Sequence, residues 1–450
     1  MTRCSFLIFN FLCDFTFFSF SFIIFLPKNL MTKVHTMRLK KGYIDFMKIA
    51  AIICEYNPFH NGHAYHIKKT KEETGADYII ALMSGNYVQR GTPAIMEKHL
   101  RTRMALENGA DLVIELPLYF SCASAPYFAL GSTALLNQLG IIDVLSFGSE
   151  CGNIELLYEI ADFLSDHDED ISKKTADYVG LGHPYPKARE LALKNFCFHD
   201  NWMPVLKEPN NILGLEYIKS LIHLKSSIQP FCISRKGSSH HENILHSSIS
   251  SATSIRNQLE HCTNISFVFP QVPISCQSLL KEHFKKDFPI LSDDFSAILK
   301  AAFISNHTFT NFWEISSDFQ NTMKKHYRPN ISYTQFITSC KSRNLTWTRI
   351  SRNLLHIMLG ITEEHRYIIK KHNFLLYYQI LGFRKESSFL IAQIKEKCSL
   401  PMIRHLNPWK DTLSSDLLSL LDTERKANLL YQMILGEKFN CIWKDEQIIV

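Results

Sequence analysis

Apolar positions along the chain follow two different periods. Up to about residue 270, short β-branched and apolar runs at 48–55, 77–84, 111–116, 144–147 and 230–234 alternate with stretches of helical spacing near 63–75, 96–108 and 124–138. The runs are nearly continuous rather than alternating with polar residues, as expected for strands buried on both faces. Strand–helix alternation predicts an α/β fold with a doubly wound parallel sheet. Beyond about residue 270 the strand signal fades, and helices are predicted at 278–288, 294–302, 347–359, 364–380 and 415–435. The expected organisation is an α/β domain over 47–270 followed by a mainly α-helical C-terminal domain over 271–450. No internal repeat interrupts it.

Residues 1–46 do not share this pattern. Positions 4–26 hold nine Phe and a single charge, Asp14. That length would cross a bilayer, and Lys28 and Lys33 stand behind it as they would behind a signal anchor. The competing reading is a translation start further downstream, at Met31, Met37 or Met47. A carboxylate at mid-membrane is costly, and Met47 stands directly before the apolar run Ile49-Ala50-Ala51-Ile52-Ile53. Met47 is therefore the expected start, and no membrane partner is expected.

Composition narrows the class. With 46% hydrophobic and 20% charged residues in 450, a disordered or collagen-like chain is excluded. The twelve cysteines form no CxxC pair and no zinc-finger spacing, which points to a reduced, cytoplasmic chain. The net charge of +6 conceals an asymmetry. Residues 321–410 carry 16 basic and four acidic side chains, whereas 47–320 with 411–450 is net acidic. The basic stretch includes Lys324, Lys325, Arg328, Lys341, Arg343, Arg349, Arg352, Lys370, Lys371, Arg384, Lys385 and Arg404, interleaved with Tyr327, Trp347, Tyr367, Phe374 and Phe383. Such a stretch supplies salt-dependent phosphate affinity and rings on which bases can stack. An RNA surface is expected there, with the turn 381–387 its leading single loop, although most of the aromatics should pack in the core.

The candidate chemistry begins right after the first strand, at Glu55-Tyr56-Asn57-Pro58-Phe59-His60-Asn61-Gly62-His63. Two histidines flank a glycine where the strand should turn into a helix. A helix N-terminus offers free N–H groups and a positive dipole end to phosphate, and imidazoles at 60 and 63 can donate to phosphate oxygens. Three other readings stay open: a metal site from His60, His63 and His66, a general-base histidine, and a plain capping loop. Small or polar clusters also follow the later strands, at Met83–Gly91, at Glu115-Leu116-Pro117 and at Phe147-Gly148-Ser149-Glu150. Together they read as the rim of one cleft at the carboxyl edge of the sheet. Further on come Pro209-Asn210-Asn211 and the hydroxyl-rich stretch 249–256, which ends in Arg256. Hydroxyls and a guanidinium together suit a polyphosphate.

His60-Asn61-Gly62-His63 is similar to the HxGH signature of the nucleotidyltransferase superfamily, and 250–256 to its second phosphate-binding signature. The ordered runs EYNPFHNGHAYH, MSGNYVQRG, DLVIELP, FGSE, PNNILG and SATSIR resemble the tRNA(Met) cytidine acetate ligase family. The resemblance covers about 47–450 and is densest over 47–260; residues 1–46 have no counterpart in it. It implies a Rossmann-like nucleotidyltransferase domain with a helical C-terminal domain, and ATP-dependent N4-acetylation of the wobble cytidine of elongator tRNA(Met), with acetate activated as acetyl-adenylate. Mg²⁺ would accompany ATP, with no protein metal ligand. The ATP-binding stretch it implies is Ile53, Cys54, Glu55, Tyr56, Asn57, Pro58, Phe59, His60, Asn61, Gly62, His63, Ala64, Tyr65 and His66, with Gly148, Asn210 (preferred to Asn211) and Arg256. His60, His63 and Arg256 would act on the phosphates during adenylate transfer. Cys54 reads as a core thiol, and Glu55, Gln89 and Arg90 as rim residues without an assigned role. A small-molecule adenylyltransferase would need the same cleft but no basic helical domain. A non-catalytic RNA-binding protein with a vestigial nucleotide site and a membrane-anchored enzyme are the remaining alternatives.

Overall fold

Successive residues of the first strands feed two different cores. In β1 (Ile49–Cys54), Ile49 and Ala51 pack into one hydrophobic cluster, and Ala50 and Ile52 into the other. In β2 (Tyr78–Ser84), Ile80 and Leu82 face the first, and Ile79, Ala81 and Met83 the second. Both faces of each strand are thus covered, which is why the sequence shows unbroken apolar runs. The computed structural model describes residues 47–450 except 197, 198, 200, 201, 236–250 and 404–412. The apolar segment 4–26, Ile249, Ser250 and Arg404 lie outside the described residues. Lys48–Val450 forms one compact unit. None of its described helices is long and apolar enough to cross a membrane.

The remaining strands are β3 (Tyr87–Val88), β4 (Thr92–Pro93), β5 (Leu112–Leu116), β6 (Val144–Ser149), β7 (Gln229–Ser234), β8 (Tyr378–Phe383), β9 (Met402–Ile403) and β10 (Ile448–Ile449). The main sheet runs β10-β8-β5-β2-β1-β6-β7, with β9 beside β8, and β3 and β4 form a separate hairpin. Strands β5, β2, β1, β6 and β7 are parallel. The chain winds from β1 outward to β2 and β5 on one side, then to β6 and β7 on the other. The winding reverses between β1 and β6, which in such sheets marks the ligand crevice.

The helices that carry the site are α1 (Asn61–Thr74), α2 (Lys98–Glu107), α3 (Leu118–Ser121), α4 (Ala125–Leu139), α5 (Ile154–Asp166), α6 (Asp168–Gly180), α7 (Tyr185–Lys194), α8 (Pro209–His223) and α9 (Ala252–His261). From α10 (Ile274–His283) onward the chain is mainly helical, through α11 (Ser296–Ser305), α12 (Ser317–His326), α13 (Tyr333–Cys340), α14 (Trp347–Leu359), α15 (Glu363–Lys371), α16 (Phe389–Lys397) and α17 (Ser415–Phe439). One prediction is corrected here. The helix expected over 364–380 stops at Lys371, because Asn373 and Phe374 take left-handed φ values of 51° and 64°. The chain then enters β8, which pairs antiparallel with β5, and β9 and β10 add to β8. The apolar run 375–383 satisfies a helical or a strand period equally well, so periodicity could not separate them.

Candidate active site

A cavity of about 350 Å³ opens where β1, β6 and β7 end. Its polar wall is made by His60, His63, His66, Gln89, Arg90, Asn210, Arg235, Thr253 and Arg256; Phe128, Phe147, Leu213 and Tyr217 form an apolar one.

His60 is the N-cap of α1 and sits in extended backbone, φ −144°. Its Nδ1 accepts the Gly62 N–H at 3.0 Å, while His63 Nδ1 accepts the His60 N–H at 3.2 Å. The two imidazoles replace the Ser and Glu of an ordinary capping box. The rings stack, with centroids 3.7 Å apart and planes 24° from parallel. Because each Nδ1 is an acceptor, each neutral ring carries its proton on Nε2. Burial, then the charges of Arg235 and Arg256, hold His60 down at about 3. Burial and the neighbouring His60, Arg235 and His66 lower His63 well below the usual range. His66, held down at about 4 by burial and Arg235, reaches Ser146 Oγ through Nε2 at 3.0 Å. The loop thus presents neutral N–H donors rather than imidazolium ions.

The charge comes from arginines. Arg256 donates from Nη1 to the Asn57 carbonyl at 2.7 Å and from Nη2 to Thr253 Oγ1 at 3.0 Å, which ties α9 to the histidine loop. Arg90 reaches the same Thr253 oxygen at 3.3 Å. Burial, with Arg90 beside it, lowers Arg256 to about 10, so its charged form is under-solvated. Arg235 follows β7, and its charge acts on all three histidines. Its aliphatic stem crosses Gly148, where a Cβ would stand 3.3 Å from Arg235 Cγ. Three guanidinium groups around a cleft whose described lining holds a single carboxylate, Glu55, make an anion site.

The loops are held by the fully buried Arg101 of α2. It donates to the carbonyls of Met96 at 3.0 Å, Glu55 at 2.6 Å and Ser84 at 3.1 Å, and to that of Gly85. One side chain therefore clamps the ends of β1 and β2. Asn57 Oδ1 accepts the Ile95 N–H at 2.9 Å and anchors the loop from the other side.

Of the expected ATP-binding stretch, Ile53, Cys54, Glu55, Tyr56, Asn57, His60, Gly62, His63, Tyr65 and His66 line the cavity, as do Gly148, Asn210 and Arg256. Pro58, Phe59, Asn61 and Ala64 do not. Phe59 is a fully buried core residue, and Asn61 Nδ2 donates to the Pro270 carbonyl at 2.9 Å. Asn210 faces the cleft, whereas Asn211 is buried and accepts from Ser149 Oγ and the Glu150 N–H at 2.7 and 2.9 Å. Burial pushes the Cys54 thiol far up, which removes it as a nucleophile. One rim expectation is corrected. Glu115 is consumed by Lys98 at 2.8 Å and lies outside the lining. The turn 381–387 sits at the opposite edge of the sheet, where the Arg384 N–H meets the Asp111 carbonyl at 3.0 Å before β5 begins. Sequence reasoning missed Arg235 altogether. Its only signal was its place directly after a buried strand, a position that lies on the rim in a doubly wound sheet. Among the described residues no three His, Cys, Asp or Glu side chains converge to hold a metal.

Residues 47–444 match the family model described as HIGH Nucleotidyl Transferase. The chain is 37% identical to the tRNA(Met) cytidine acetate ligase of Acetivibrio thermocellus, over 86% of this chain and 95% of that one. It is 39% identical to that of Clostridium novyi, over 83% and 94%. The crystal structure of apo Thermotoga maritima TmcAL superposes with a TM-score of 0.82 at 28% identity, covering 90% of this chain and all of the other. The same protein bound with alpha-thio ATP gives 0.79 at 27% identity.

Proposed function

The chain belongs to the tRNA(Met) cytidine acetate ligases of the HIGH nucleotidyl transferase family, and we propose that it acetylates the wobble cytidine of elongator tRNA(Met) at N4, using ATP and acetate. The observation that carries this reading is the pair of neutral, Nε2-protonated histidines facing three arginines at the switch point. Such a set binds a triphosphate and stabilises charge that builds on it, without supplying a nucleophile. In the first step an acetate oxygen attacks the α-phosphate, acetyl-adenylate forms, and pyrophosphate leaves. His60 and His63 donate to phosphate oxygens, and Arg256 and Arg235 offset the growing charge. Gly148 allows the close passage of Arg235 and of the nucleotide. In the second step the cytidine amine attacks the acetyl carbon, and AMP leaves. Mg²⁺ would accompany the ATP phosphates and offset their charge, with Glu55 the one carboxylate that the described lining would offer it.

The RNA reaches this cleft from the α14 side. A Cβ added at Gly91 would lie 2.2 Å from the Arg352 backbone nitrogen, so α14 packs directly on the loop that carries Gln89 and Arg90. Arg343 and Arg349 stand exposed on that side, near Trp347 at 38% exposure. A tRNA-modifying enzyme of this kind works in the cytoplasm. The test is to incubate the protein with ATP, labelled acetate and elongator tRNA(Met) transcript, digest the RNA and look for N4-acetylcytidine. Absence of that nucleoside under conditions where ATP binds would remove this reading. AMP transfer to a small acceptor instead would establish a small-molecule adenylyltransferase.

A further inference from the structure

The second step needs a proton acceptor: an aromatic amine that attacks an acyl carbon must lose a proton as the new bond forms. The cleft restricts what can take it. His60 and His63 have committed Nδ1 to backbone N–H groups and hold protons on Nε2, so they donate and do not accept. His66 is bound to Ser146 Oγ at 3.0 Å. The Tyr56 hydroxyl and the Cys54 thiol are buried and pushed up by that burial. Asn210, Gln89 and the arginines are not bases.

Among the described residues that line the cavity one group remains, and Glu55 is the single carboxylate among them. It stands at the carboxyl end of β1, half-buried, with its main-chain oxygen clamped by Arg101 Nη1 at 2.6 Å. Its Oε1 accepts the Gln89 N–H at 2.9 Å, which turns the carboxylate toward the β2 loop. That bond occupies Oε1 and leaves Oε2 as the oxygen available to a substrate. The carboxylate therefore sits beside the loop that carries Gln89 and Arg90, and close enough to Arg256 for its charge to act on that guanidinium.

We propose that Glu55 is a catalytic residue of the transfer step, accepting the proton from the cytidine N4 amine. This rests on the acetate-ligase reading of the cleft. The N4–C bond forms, one N4 proton passes to Glu55 Oε2, and the bond from the acetyl carbon to the phosphate oxygen breaks with its electron pair leaving on AMP. The proton is then released to water.

Hydroxylamine separates the two steps, because it captures acyl-adenylates as hydroxamates without needing a base from the protein. Acetohydroxamate formation from ATP, acetate and hydroxylamine reports step one; acetylation of bound tRNA reports both. In Glu55→Gln, tRNA acetylation is expected to fall at least about 100-fold, the scale of general-base assistance, while hydroxamate formation falls no more than about threefold and tRNA affinity is retained. Glu55→Asp should recover part of the loss. Equal loss of hydroxamate and tRNA acetylation would overturn the assignment, as would tRNA acetylation near the wild-type rate, or a loss explained by weaker tRNA binding. A wild-type protein that binds ATP but yields no hydroxamate removes the acetate-ligase reading itself, and this assignment with it.

Discussion

His60 and His63 lie ring on ring at 3.7 Å, each with Nδ1 filled by a backbone N–H, so the pair is locked as two neutral donors before any ligand arrives. Two imidazolium ions at this separation would repel, and burial with Arg235 adjacent opposes protonation of either. A preset donor pair costs no reorganisation when phosphate charge develops. His63→Ala should therefore reduce acetyl-adenylate formation by about 100- to 1,000-fold while leaving tRNA affinity nearly intact. Pyrophosphate exchange and a filter-binding assay measure the two; equal loss of both would argue against separate sites.

Arg235 is the residue whose charge reaches all three histidines. In Arg235→Ala the His66 imidazole, now held at about 4, should titrate at higher pH. ATP affinity should fall by about 10- to 100-fold, the worth of a charge-assisted hydrogen bond or two. NMR of the ring nitrogens follows the first and calorimetry the second. An unshifted His66 would place Arg235 away from the ring.

His60 also makes acid stability predictable. Its folded value, about 3, lies below the ordinary 6.5, so the unfolded chain takes up a proton that the folded chain refuses. Stability should therefore fall as pH drops through this window, by about 1.4 kcal/mol per pH unit for each such group. Urea midpoints between pH 6.5 and 4.5 read this directly, and His60→Gln should flatten the slope. Pyrophosphate should flatten it as well, since a bound anion favours the protonated ring.

Gly91 joins the cleft loop to the helical part of the chain. Its φ is +78°, a Cβ would meet the Arg352 nitrogen at 2.2 Å, and its carbonyl accepts from Ser351 Oγ at 2.7 Å and the Tyr333 hydroxyl at 3.1 Å. Gly91→Ala should cost about 1–3 kcal/mol in the urea midpoint, through overpacking in a conformation that side chains avoid. A neutral result would show that α14 can recede from the loop.

Arg343→Ala with Arg349→Ala should weaken tRNA binding and reduce the slope of log K against log salt by about 2, one for each phosphate that the protein no longer neutralises. Arg384→Ala with Lys385→Ala should change the slope by less than about 1. Arg384 already pairs with Glu386 at 3.0 Å and stands at the far edge of the sheet from the cleft. The reverse result would put the RNA across that edge.

The parallel strands, the order of the motifs and the histidine loop were all legible along the chain. Those features rest on local information. Strands buried on both faces demand unbroken apolar runs, and a glycine between two histidines at a strand's end leaves few other uses. Arg235 and the clamp by Arg101 were settled in three dimensions, because a lone arginine has no period. Its role depends on which strand ends lie beside it, and β7 follows β6 by about eighty residues while pairing with it directly. The same holds for β8, whose apolar run became a strand only because the open edge of β5 was there to pair with it. Glu115 shows the limit from the other side. Its position after a strand predicted a place on the rim, but the buried Lys98 ammonium 2.8 Å away took the carboxylate into the core. Local pattern determines which segments become strands and turns. Which charged side chains meet a ligand and which neutralise one another depends on segments far apart in the chain coming together, and packing alone brings them there.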